Sequence, residues 1–401
     1  MPYRANLDWL NFLLADVRGG LGPYVGVFLV TQAGWSPATI GAVLTVSGLI
    51  GIVMHTPAGA FIDATGAKRA LLVGGTAALS GSALAIAFAP TVPVVLIADI
   101  GMAVLGAVFA PTVAAITVGL TPPEALAGRF GRNAVFDRAG NLFIAAVAGA
   151  TGTMASQRAV FFLVPAFGVL AALAVLSIPA KAIDHDRARG LDRHGDGGGE
   201  EPIPWARLLS YRPLLVLAVT AAVFHFANAP MLPLASQKLA LAHAGYESAL
   251  TSAAIIMAQL ATIPMALLVE RANLIGRKPL LLLALSALPV RGALFAATDE
   301  PVWIIAGQIL DGVGGGLFDT LLPLVLADIM RGSGRYNVSR GLVGTVQGIG
   351  GSLSNVVAGA LVVGLGYNAT FLTLSAFALV APAIVLTAMP ETRRPETLPA
   401  A

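Results

Sequence analysis

Ionisable and amide side chains recur inside otherwise apolar stretches of this chain, where one charge at the centre of a bilayer helix costs about 2.5–3.5 kcal/mol on insertion scales. Each is expected to face a cavity or a partner. Asp16 and Arg18 lie two residues apart and point to different faces, so they do not pair directly; Asp16, beside glycines and Pro23 that loosen its helix, is the cavity candidate. Asn133, Asp137 and Asn141 stand at i, i+4 and i+8, which drifts about 40° per step and makes one polar stripe on a helix. Arg340, Gln347 and Asn355 form a comparable stripe late in the chain. Asp311 and Asp319 flank Gly314, Gly315 and Gly316, and His225 with Asn228 precedes Pro230 and Pro233, which break a helix and offer carbonyls to a cavity. An acid held in such a place binds a proton near neutral pH and releases it when an arginine or a cationic solute approaches. Histidine does the same near pH 6 to 7, and His55 is a further candidate for that role.

Each pattern also has a structural reading. The amide stripe of Asn133, Asp137 and Asn141 reads equally as a packing seam glued by hydrogen bonds. The glycines beside Asp311 and Asp319 permit close helix packing, with the acids permanently paired, for example to Arg291. His185 and His194 sit in a charged, glycine-rich stretch that reads as solvated chain.

The elements that must hold these groups are helices in a bilayer. The chain has 401 residues, 57% hydrophobic and 11% charged, which no single soluble core absorbs. Stretches such as 37–62, 68–89 and 301–327 exceed the roughly 20 residues needed to cross a hydrocarbon core. The pI near 9.4 goes with a formal charge of only +3. With a cytoplasmic N-terminus, nineteen of the 24 Lys and Arg residues fall on inner loops and two, Arg158 and Lys238, on outer ones. That asymmetry is the positive-inside rule, so the basic pI reports topology, with both termini cytoplasmic, and not a nucleic-acid partner. Cysteine is absent, which removes disulfides and thiolate metal sites. The stretch 7–30 is too long for a signal-peptide core and reads as a retained first helix.

The expected helices are 7–31, 37–62, 68–89, 93–119, 127–153, 158–179, 212–236, 247–271, 277–297, 301–329, 338–364 and 369–389. Residues 1–180 form an N-terminal six-helix bundle, 181–211 a cytoplasmic linker, 212–390 a C-terminal six-helix bundle and 391–401 a cytoplasmic tail. The halves repeat at an offset of 207 to 212 residues. Ala33-Gly34-Trp35 recurs as Ala244-Gly245-Tyr246; Pro57 and Asp63 match Pro264 and Glu270; Asp99 and Pro111 match Asp311 and Pro323; Val-Ala-Gly-Ala occurs at 147–150 and 357–360. The expectation is an all-α membrane protein with twelve transmembrane helices in two pseudo-symmetric six-helix bundles, and a site at their interface.

The run Gly59-Ala60-Phe61-Ile62-Asp63-Ala64-Thr65-Gly66-Ala67-Lys68-Arg69 resembles the signature loop between helices two and three of the major facilitator superfamily. Glu270 and Arg271, followed by Gly276, Arg277 and Lys278, are a degenerate second copy. The resemblance covers nearly the whole chain. It implies a transporter fold in which Asp63, with Gly59, Gly66, Lys68, Arg69, Glu270 and Arg271, latches the halves at the inner face. Ala64 and Ala67 depart from the family pattern, which often has Arg there, and no proton-relay Arg stands in helix four.

Together these readings predict a secondary active transporter that moves a small polar or charged solute by alternating access, with proton-coupled efflux as the expected mode. The bet rests on Asp16, Asn133, Asp137, Asn141, His225, Asn228, Asp311, Asp319, Gln347 and Asn355 as substrate- or proton-binding residues. Two alternatives are a metal-ion exporter or uniporter using Asp16, Asp311 and His225, and a non-transporting membrane sensor or assembly protein docked through the 181–211 loop. An enzyme is not expected, because no hydrolase, zinc-protease or phosphate-loop motif occurs. Small solute, protons and the lipid bilayer are the expected partners, with no cofactor and no nucleic acid. The expected setting is a monomer, multi-pass in the inner membrane.

Overall fold

The structure, a computed structural model, describes residues 3–15, 21–184, 210–270, 275–330 and 336–392. Among them every regular element is helical. The first span is two short helices, Arg4–Leu14 and Gly22–Thr31, and Leu21 between them has a left-handed backbone (φ 63°). Spans two to five are Pro37–Ala64, Lys68–Phe88, Val92–Leu120 and Pro123–Met154, and the sixth runs Gln157–Val160 then Leu163–Leu176. Span seven is Arg212–Asn228 continued by Met231–Ala242, span eight Glu247–Glu270, and span nine Arg277–Ala297. Span ten is Pro301–Gly307 then Ile309–Ile329. Spans eleven and twelve share the run Tyr336–Ala378, divided at Gly366 (φ 79°, ψ 171°), and Val380–Ala388 completes the twelfth.

Nine helical runs among the described residues are long and apolar enough to cross a membrane. Val338–Ala388 contains two spans, on either side of Gly366. The first span is described as two separate short helices, and the fifth carries Arg129, Arg132, Asp137 and Arg138 within it. The helices of the described residues thus fall into twelve spans, and the polar groups that set the fifth apart by composition are the ones with chemistry.

The repeat has a backbone counterpart. Gly34 (φ 66°) and Gly245 (φ 90°) both take the left-handed conformation before the second helix of their half, a geometry that costs glycine little. Pro57 and Pro264 lie inside spans two and eight, and Pro111 and Pro323 inside four and ten. Pro230 and Pro233 interrupt span seven without ending it: Pro233 falls in the first turn of Met231–Ala242, where the missing N–H is not needed. One expectation changes as a result. Lys238 belongs to that helix, where it is buried, and not to an outer loop.

The chain divides into two compact units, Met1–Asp196 with Ser236–Ile256, and Gly197–Ala235 with Met257–Ala401. In the first, Leu10, Leu79, Ile86 and Ile116 are buried together, and Phe28 meets Phe161 edge-on at 5.0 Å. Its helices approach closely where glycine allows it: a Cβ at Gly140 would lie 2.1 Å from the Phe12 carbonyl oxygen, and one at Gly149 would meet the Ser252 side chain. The Tyr24 hydroxyl bonds Ser252 at 2.7 Å in the same region. In the second unit Phe224 stacks on Phe318 at 4.6 Å and Phe295 packs edge-on to Phe371 at 5.5 Å. Large apolar side chains such as Val53, Ile97, Leu173 and Val302 remain exposed, as a lipid-facing surface requires.

Basic residues at the signature positions pin helix ends within their own unit. Lys68, fully buried, donates from Nζ to the Thr65 carbonyl at 2.9 Å, and Arg69 Nη2 donates to the Leu176 carbonyl at the end of span six at 2.7 Å. In the second unit Lys278 Nζ donates to the carbonyls of Leu386 (3.1 Å) and Met389 (2.7 Å) at the end of span twelve. Glu391 returns the favour by accepting from the backbone N–H groups of Arg277 (2.9 Å) and Lys278 (3.0 Å), donors at the start of span nine that have no intrahelical partner. Arg277 Nε also bonds Asp328 at 3.1 Å, joining span ten to the same clamp.

Candidate functional site

Span nine carries Arg291, a guanidinium with no access to solvent. A charge so placed is tolerable only when surrounded by acceptors. Nη1 donates to Asp311 Oδ1 at 2.6 Å and to Asn228 Oδ1 at 2.9 Å, and Nη2 donates to Gln308 Oε1 at 2.7 Å. Phe295, one turn on, lies under the guanidinium at 5.3 Å. The three partners come from spans seven and ten, whose local breaks fall at the cluster: Asn228 ends its helix, and Gln308 is the turn between Pro301–Gly307 and Ile309–Ile329. Two donors in this buried knot have no hydrogen-bond partner among the described residues, Arg291 Nε and one amide nitrogen, Gln308 Nε2. The Asp311 side chain is 20% exposed against 1% for Arg291, so the acid is the accessible member of the pair.

His225 stands one helical turn before Asn228. Its Nδ1 lies 3.1 Å from the Ala221 carbonyl and its Nε2 lies 2.8 Å from Gln347 Nε2. Both ring nitrogens are thus within hydrogen-bond reach of a partner, the Ala221 carbonyl on one side and the Gln347 amide on the other. Gln347 in turn lines a cavity of about 320 Å³ between spans ten and eleven, together with Asp319 and Arg340. Asp311 and Asp319, grouped by sequence, are thus separated: eight residues is about 12 Å along a helix, with Asp311 at the Arg291 cluster and Asp319 on the lining of the cavity.

In the first unit the polar stripe of span five divides in the same way. Asn133 belongs to a buried clamp: its Oδ1 accepts from Arg129 Nε at 2.8 Å, and its Nδ2 donates to Thr117 at 3.0 Å. Arg129 Nη2 reaches Asp8 at 2.6 Å, and Arg132 grips the same carboxylate through Nε (2.9 Å) and Nη2 (2.7 Å). The clamp fastens span one to span five. Further along, Asn141 Nδ2 lies 3.4 Å from Asp137 Oδ2, both partly accessible. Asp99, the repeat counterpart of Asp311, accepts instead from the buried Ser47 hydroxyl. Asn355 turns back on its own helix, donating to the Gly351 carbonyl at 3.3 Å. His55 and Arg138 are exposed.

Asp16, Arg18, Arg271, His185 and His194 lie outside the described residues, and of Asp63 and Glu270 only the backbone, helical in spans two and eight, is described. Gly59 is helical with open space about it, and Gly66 lies in the turn before Lys68. Sequence reasoning missed Asp8 and the role of Arg129, because an acid near a helix start beside cytoplasmic arginines reads as loop charge. It missed Gln308 as well, although a lone glutamine inside an apolar span was signal enough. Among the described residues no group of three His, Asp or Glu side chains could hold a metal ion.

The helical membrane fold, with a buried ion pair where spans seven and ten break, is that of a multi-pass transporter. The family model described as Major Facilitator Superfamily matches residues 9–336 and 214–401, and the chain belongs to that family. It is 42% identical over 390 residues, 96% of this chain and 93% of theirs, to the uncharacterized MFS-type transporters of Mycobacterium tuberculosis strains CDC 1551 and H37Rv. Among solved structures it is similar to a mutant of the nucleoside transporter NupG (TM-score 0.80, 15% identity, 97% of this chain and 100% of that one). It is also similar to a bacterial homolog of the human lysosomal transporter Spinster, inward-facing and occupied (TM-score 0.75, 16% identity, 99% and 100%). At those identities the two structures speak for the fold.

Proposed function

We propose that this protein is a proton-coupled secondary carrier of a small polar or charged solute, working by alternating access in the inner membrane with both termini cytoplasmic. The observation that carries the reading is the Arg291–Asp311 pair, with its spare buried donors on Arg291 and Gln308. A carboxylate that gains a proton leaves its guanidinium partner uncompensated, and an anionic or carbonyl acceptor then becomes the favourable replacement. Proton binding at Asp311 and acceptor binding at Arg291 are therefore linked, and linkage of that kind is what coupled transport requires. The latch role of Asp63 and Glu270 belongs to the same reading, as does efflux, the direction expected from the sequence.

A metal exporter built on Asp16, Asp311 and His225 draws no support from the geometry, since Asp311 is bound to Arg291 and both ring nitrogens of His225 have hydrogen-bond partners. The test is transport of a pool of labelled small solutes in proteoliposomes with an imposed pH gradient. Wild-type protein should accumulate its solute against a gradient only when the pH difference is present, and Asp311→Asn should retain solute exchange while losing that accumulation. Indifference of the wild type to the pH gradient would end the proton reading.

A further inference from the structure

The cavity of about 320 Å³ in the second unit is lined on one side by span ten and on the other by span eleven. Its polar groups are few and opposed: Asp319 on the first helix, Arg340 and Gln347 on the second. Arg340 and Gln347, seven residues apart, lie within about 20° of each other around the helix axis and so share one face. Leu322, Leu326 and Val343 supply an apolar floor between them. Arg340 is exposed to this space and makes no hydrogen bond or ion pair among the described residues. At Gly344, between the two polar residues of span eleven, an added Cβ would meet no atom within 4 Å. There is room for at least a Cβ on that side of the helix.

We infer that this cavity binds a compact amphoteric solute: an anionic group on the Arg340 guanidinium, a hydrogen-bond donor such as an ammonium on the Asp319 carboxylate, and a short aliphatic part against the floor. The inference rests on the carrier reading for its role in transport, but not for binding itself. A guanidinium offers paired donors that match a carboxylate or a phosphate monoester, so either source satisfies the anionic end. The volume lies at the low end of the roughly 300–1,000 Å³ seen for small-molecule sites, which selects an amino-acid-sized solute over a bulky planar one. Gln347 joins the site to the rest of the machinery. Its amide holds His225, and His225 shares a helix turn with Asn228 of the Arg291 cluster. A solute that engages Gln347 therefore acts on the helix whose Asn228 accepts a hydrogen bond from Arg291.

The experiment is a thermal-stability titration of the purified full-length protein with four probes: serine, ethanolamine phosphate, ethanolamine and glycerol. Saturable stabilisation by serine or by ethanolamine phosphate is expected, with none from ethanolamine or glycerol; the member of the first pair that acts identifies carboxylate or phosphate as the anion. Arg340→Gln should weaken that binding about tenfold or more, the usual cost of losing a charged hydrogen bond, and Gly344→Leu should abolish it, each with the unliganded melting temperature kept near wild type. No shift with either amphoteric probe, equal shifts with ethanolamine or glycerol, or unchanged affinity in Arg340→Gln would overturn the inference. Any of these alongside intact Asp311-dependent transport leaves the carrier standing. Binding without transport retires the carrier and leaves the site.

Discussion

Arg291 and Asp311 meet at 2.6 Å with the guanidinium sealed from solvent and the carboxylate one-fifth exposed, so the pair is asymmetric in access although balanced in charge. Removing one partner strands the other. Asp311→Ala is expected to destabilise the protein by about 3–5 kcal/mol, the range for an uncompensated buried charge. Arg291→Met combined with Asp311→Leu, which removes both charges together, should recover most of that loss while leaving transport dead. Denaturation of the single and double variants in detergent checks the sign, and a double variant as unstable as the single one would refute it.

The Asp8 clamp makes a separate prediction. Asp8 and Arg129 are both buried, and the carboxylate also serves Arg132. Asp8→Ala should cost about 3–5 kcal/mol by the same argument and should free span one from span five, seen as faster amide exchange across residues 4–14. Arg132 lies nearer the surface, so Arg132→Gln should cost much less than Arg129→Gln.

Close packing at Gly140 is expected to be intolerant. A Cβ there would sit 2.1 Å from the Phe12 carbonyl oxygen, a backbone atom that cannot turn aside. Gly140→Ala should lower the melting temperature markedly, whereas Gly128→Ala and Gly131→Ala on the same helix, with no atom within 4 Å, should be neutral or slightly stabilising. Equal effects at the three positions would contradict the packing.

Glu391 and Lys278 cap each other's helices, and their loss should be modest. Glu391→Gln removes a carboxylate from the start of span nine, worth about 0.5–2 kcal/mol by analogy with helix N-caps, and Lys278→Ala exposes the last carbonyls of span twelve. Amide exchange should rise at residues 277–280 in the first variant and at 386–389 in the second. Gly276→Ala should cost more than either, because its φ of 106° disfavours a side chain and the new Cβ would press on Glu391 at 2.7 Å.

The sequence by itself determined the bilayer setting, the twelve spans and the duplication. Those rest on runs of apolar residues and on recurring glycines, prolines and acids such as Gly34 with Gly245 and Pro111 with Pro323, whose conformational demands are local. The signature loop was legible for the same reason. The partners of the buried charges were not. Asp99 and Asp311 hold equivalent places in the repeat, yet one takes a serine hydroxyl and the other an arginine. Asn133 and Asp137 share a stripe, yet one is consumed by the Asp8 clamp and the other faces Asn141. Helical periodicity fixes which residues share a face of one helix, but a hydrogen bond between helices depends on crossing points, breaks and close approaches set by the packing of distant segments. Gln308 could become a ligand of Arg291 only once the turn in span ten brought it there.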